Sequence, residues 1–102
     1  MTTPALPPTT DDDEAWLFER TVQALQRTYG CAEAEAIELL NRYHIKFTDA
    51  DFCDAYDMSA QTTEFFHREE SLTMADRIYF YEALGNEPDE AAFIRWQRKI
   101  RL

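Results

Sequence analysis

The sequence predicts an all-α fold: a small single-domain bundle of five to six short helices behind a disordered N-terminal tail. Three observations carry this reading. Apolar residues recur at helical steps of three and four along most of the chain. Helix caps and stops punctuate those stripes. Only 2 glycines and 4 prolines occur in 102 residues, too few for a turn-dense β-sandwich. The length suits one domain, taken as residues 11–102, with residues 1–10 as the tail.

The tail, MTTPALPPTT, holds three of the four prolines and no charge. Fixed φ angles and little to bury predict a flexible, partly extended segment. The first helix is expected from Thr10 to Tyr29. Thr10 is placed to cap it, with Asp13 three residues on. Asp11, Asp12, Asp13 and Glu14 sit where the helix dipole favours negative charge. Phe18, Val22, Leu25 and Tyr29 form one stripe, and Gly30 supplies the left-handed stop. Trp16 and Leu17 lie off that stripe.

The second helix is expected over Ala32–Tyr43. Ala36, Ile37, Leu40 and Tyr43 share its inner side, and Glu35, Glu38 and Arg42 its outer side. His44-Ile45-Lys46-Phe47 alternates and reads as a connector with Ile45 and Phe47 buried. A short third helix follows, from Asp49 to about Asp57, with Thr48 as its cap. Asp51, Asp54 and Asp57 cluster on one of its faces, opposite Phe52, Ala55 and Tyr56. Ser59 is placed to cap a fourth helix running through Phe65, Phe66 and His67.

The fifth helix starts at Ser71 and runs through Met74, Ile78, Tyr79, Phe80, Tyr81 and Leu84 to Gly85. It is apolar on nearly every bearing, which predicts a central position. The sixth is expected to open with Pro88 at its first position. Its narrow stripe is Phe93, Trp96 and Ile100.

Charge is divided unevenly. Residues 1–90 carry all 20 acids and six of the ten bases, a net −14. Residues 91–102 carry Arg95, Arg98, Lys99 and Arg101 and no acid, a net +4. An acidic body repels the phosphates that dominate nucleic-acid affinity, so no direct nucleic-acid contact is expected. The same field accelerates encounter with a basic protein surface. No stretch approaches the ~20 apolar residues of a membrane span, and the N-terminus has no secretory pattern. With only Cys31 and Cys53, a disulfide framework is not expected, and a reducing cytoplasmic location is.

Chemical motifs are sparse. The run Asp49, Asp51, Asp54, Asp57 departs from a calcium loop at Cys53, Asp54 and Ala60, where Asp or Asn, Gly and Glu are required. Cys31, His44, Cys53 and His67 are scattered singly, unlike a zinc set. His67 beside Glu69 and Glu70 supplies the minimum for acid–base work but no nucleophile stands near it. Two glycines cannot build a phosphate-cradling loop. A helix-turn-helix reading fails because its reader helix would present Tyr, Phe and Ile. No catalytic residue, cofactor or metal is therefore expected.

In composition the chain is similar to bacterial immunity proteins, antitoxins and phage-encoded inhibitors of host defence, a likeness that carries over no individual residues. The expected function is a small acidic inhibitor or neutraliser that covers a basic surface on a partner protein, such as a toxin or a nucleic-acid-binding protein. The candidate partner-binding residues are Glu35, Glu38, Asp51, Asp54 and Asp57, with Phe80 and Leu84 as an apolar patch near Asp76 and Arg77. A structural or adaptor subunit, homodimeric through the last helix, is the first alternative. A small helical enzyme using His67 or His44 is the second.

Overall fold

The computed structural model describes Leu6, residues 12–61 and residues 70–101. Among them the fold is all-α. The expected Thr10 cap and the fourth helix through Phe65, Phe66 and His67 lie outside the described residues. Helix α1 spans Asp12–Tyr29, α2 Glu33–Phe47, α3 Ala50–Asp54, α4 Ser71–Ile78 and α5 Glu90–Ile100; a π-helical segment, Tyr79–Ala83, continues α4 without a break.

Helix α1 forms as expected, with acids in its first turn and Arg27 in its last. It buries Phe18, Val22 and Leu25 and stops at Gly30, whose φ of 69° is the left-handed conformation glycine tolerates. Leu6 is half-buried and packs against this core.

Helix α2 is longer than its apolar pattern suggested. His44–Phe47 is helical, not a connector, and Ile45 is 70% exposed rather than buried. The stripe Ala36, Leu40, Tyr43, Phe47 continues at helical spacing through the end. The Tyr43 and Phe47 rings stack with centroids 4.4 Å apart, which rewards the extra turn. Thr48 does not cap α3. Its hydroxyl donates to the carbonyl of His44, and Asp49 caps α3 instead, accepting from the Asp51 amide at 3.0 Å.

Helix α4 and its π continuation form the expected centre. Met74, Ala75, Asp76, Arg77, Ile78, Phe80 and Tyr81 are all buried. Helix α1 packs along α4, and α2 packs on α1 and on the π segment. The π turn is closed by the Leu84 amide donating to the Tyr79 carbonyl at 3.0 Å, the i→i+5 pattern. Gly85, at φ 72°, ends it.

Helix α5 starts at Glu90 with Asp89 as its cap, accepting from the Ala92 amide at 3.1 Å. Pro88 precedes the helix and does not open it. The Arg77 guanidinium holds the Glu90 carboxylate with both terminal nitrogens, one at 2.8 Å, and lies 4.6 Å over the Phe93 ring. Phe93 is buried and Ile100 is exposed, so the stripe frays at its C-terminal end.

Candidate protein-binding surface

The α3 edge is built from the backbone outward. Cys53 is buried, and its thiol donates to the Phe47 carbonyl at 3.5 Å, which ties α3 to the end of α2. Phe52 packs edge-on against Phe47 with ring centroids 5.8 Å apart. With Phe52 and Cys53 turned inward, helical phase turns Asp51 and Asp54 outward, and both are exposed.

Asp57 is held differently. It has φ 58°, a positive value rare for a side-chain-bearing residue. The Met58 amide donates to the Cys53 carbonyl at 2.9 Å and the Asp57 amide to the Asp54 carbonyl at 3.1 Å. These are the two bonds of a Schellman stop, with Asp57 in the place usually taken by glycine. The chain therefore turns sharply at Asp57, whose side chain is exposed.

Tyr56 lies on the Phe52 side of α3, its ring 5.2 Å from the Phe52 ring, and is 40% exposed. Tyr56 and Phe52 line a groove of about 260 Å³ together with Arg42, Lys46, Glu82 and Glu87, and none of Asp51, Asp54 and Asp57 enters it. Asp51, Asp54 and Asp57 make no ion pair with any described residue. The result is an exposed acidic edge with a partly exposed tyrosine on the neighbouring side of α3.

Glu35 and Glu38 are exposed on the outer face of α2, as expected from phase. Both are engaged within the chain. Glu38 pairs with Arg42 at 2.7 Å, and Glu35 stands beside the Cys31 thiol. Burial, and after it the neighbouring Glu35 carboxylate, push the Cys31 thiol pKa up. Arg42 and Glu82 line both the groove at Glu35 and Glu38 and the groove at Tyr56. Lys46 crosses to Glu82 at 2.9 Å between them. Arg42 and Lys46 thus stand between the outer face of α2 and the Phe52–Tyr56 side of α3.

The apolar patch requires correction. Phe80 is 5% exposed and packs against Tyr81, Phe93 and Trp96, with the Trp96 ring 5.2 Å away. Leu84, at the end of the π segment, is 48% exposed. The expectation of an exposed patch there takes Asp76 and Arg77 as the solvent side of their helix. They mark the inner side. Asp76 is fully buried, accepting from the Tyr29 hydroxyl, from Gln97 at 3.1 Å and from Arg101. A charge is tolerated in a core when it is paired and hydrogen-bonded, and both residues meet that condition.

His44, the described histidine of the enzyme alternative, is half-buried with the Phe18 ring edge-on at 5.5 Å. Burial lowers its pKa, and the nearby Glu14 carboxylate opposes that shift. His67 lies outside the described residues. Among the described residues no group of three or more His, Cys, Asp or Glu side chains converges as a metal site. No helix among them is long and apolar enough to cross a membrane.

The chain matches no family model, no curated protein and no solved structure.

Sequence reasoning missed one part of this surface. Helical phase puts Tyr56 with Phe52, opposite Asp51 and Asp54, and the ring contact at 5.2 Å agrees. The groove beside it needs the loop Gly85–Pro88 to fold back near α3, a tertiary relationship with no local signal.

Proposed function

We propose that this protein is a protein-binding inhibitor that docks the α3 edge onto a basic surface of its target. The observation that carries the reading is the exposure of Asp51, Asp54 and Asp57, three carboxylates without an ion-pair partner among the described residues, with the exposed Tyr56 close by in the chain. Charge of one sign raises the encounter rate with a surface of the other. An amphipathic ring that buries area while keeping a polar tip then sets the dissociation rate. Glu35 and Glu38 extend the negative field on the neighbouring face, moderated by Arg42. A target whose basic surface is a nucleic-acid site would be blocked by such a cover. We place the protein in the reducing cytoplasm, in keeping with Cys31 and Cys53 both free.

The test is quantitative affinity capture from an extract of the source cells. The full chain is compared with Asp51→Lys/Asp54→Lys/Asp57→Asn, where asparagine keeps the left-handed turn. The expected result is a basic protein retained by the wild type in low salt, released by high salt and absent from the variant. Retention of the same proteins by both chains overturns the assignment to α3.

A further inference from the structure

Helix α5 carries a second unmatched surface of the opposite sign. Phe93 and Trp96 face the core, and at ~100° per residue this turns Ala91, Ile94, Arg95 and Arg98 outward, with Lys99 at the margin. All five are exposed. Arg95, Arg98 and Lys99 make no ion pair with any described residue, whereas Arg101 is turned inward to Asp76. The strip is thus three exposed bases bordered by one exposed isoleucine. The α3 edge is three exposed acids.

We propose that the outer strip of α5 docks on the α3 edge of a second copy of this chain, Arg95, Arg98 and Lys99 against Asp51, Asp54 and Asp57. Charge complementarity selects this occupant: the two surfaces are opposite in sign and equal in number of charges, and none of the six side chains has an ion-pair partner among the described residues. One helix face against one short helical edge lies at the small end of specific interfaces, below ~1,200 Å² in total, so the contact is weak and reversible. Exposed charges dominate it, so it dissolves as salt rises and the Debye length shrinks. A partner with a denser basic surface competes for the same acids, so self-association keeps the α3 edge covered until such a partner arrives. The self-contact stands independently of the inhibitor reading, because it is measured on the isolated protein.

The experiment is sedimentation velocity of the untagged full chain over about a hundredfold concentration range, at about 20 mM and about 500 mM NaCl. The wild type is expected to gain mass above 12.0 kDa with concentration in low salt and to sediment as a monomer in high salt. Two variants are compared: Arg95→Glu/Arg98→Glu/Lys99→Glu, and Asp51→Lys/Asp54→Lys/Asp57→Asn. Each alone is expected to remain monomeric in low salt, with helicity and melting temperature near wild type. Mixed together they are expected to re-associate, since each supplies the sign the other lacks. A wild type that is monomeric throughout overturns the proposal. So does self-association that neither variant weakens, or a mixture that stays monomeric while the wild type associates.

Discussion

Arg101 and Asp76 are 25 positions apart and meet as an ion pair at the core boundary, the Arg101 Nε donating to one carboxylate oxygen at 3.1 Å while Nη2 donates to the other. The Asp76 carboxylate also accepts from Tyr29 and Gln97, so one buried side chain joins α1, α4 and the end of α5. Tyr29 in turn stacks on Tyr79 at 3.9 Å. Removing Arg101 leaves a buried carboxylate with two neutral donors. We expect Arg101→Ala to cost about 2 kcal/mol, below the usual 3–5 for a fully buried pair because Arg101 is itself partly exposed. Asp76→Asn/Arg101→Ala is expected to lose no more than the single Arg101 variant. Urea denaturation of the four corners of this cycle checks it, and additive losses would show the pair uncoupled.

The same pair shows where the sequence was readable. The stripe Phe18, Val22, Leu25 of α1 and the central place of the α4 segment followed from apolar spacing alone. Asp76 and Arg77 did not, because a charged residue reads as solvent-facing until its partners are known, and Arg101, Tyr29, Gln97 and Glu90 are all distant in the chain. That single inversion misplaced Phe80. Ile45 was misread for a related reason: four alternating residues resemble a strand, and only the stacking of Phe47 on Tyr43 shows that the helix continues. The outward set of Asp51 and Asp54 was legible from phase; the left-handed turn at Asp57 was not.

Phe80 and Leu84 were grouped by bearing and separate by burial. Phe80→Ala empties a site bounded by Phe93 and Trp96 and is expected to cost about 3–5 kcal/mol. Leu84→Ser removes a largely exposed side chain and is expected to stay within about 0.5 kcal/mol. Thermal melts of the two variants separate these outcomes; equal losses would contradict the packing described.

Asp57 has a backbone role besides its charge. Asp57→Gly is expected to hold or raise stability, because glycine adopts positive φ freely. Asp57→Val is expected to lose about 1–2 kcal/mol from the left-handed strain on a β-branched residue. A valine variant as stable as the glycine variant would mean the turn does not persist in solution.

His44 makes stability depend on pH in one direction. Its pKa is lowered from 6.5 by burial, so between that value and its folded one the unfolded chain binds more protons. Its contribution is complete above the unfolded value and falls as pH drops through this window. A His44→Gln variant should show a shallower loss of stability on acidification over the same range. A proton NMR titration of His44 with a midpoint at or above 6.5 would contradict the burial described.

The central claim is that the α3 edge steers a basic partner onto this protein, and it is tested most directly by the association rate. Stopped-flow binding of the captured partner is compared for the wild type and Asp51→Lys/Asp54→Lys/Asp57→Asn across a salt series. The account predicts an on-rate at least about tenfold lower for the variant in low salt, with a flattened dependence on salt and an intact fold. An unchanged low-salt association rate in the folded variant would contradict it.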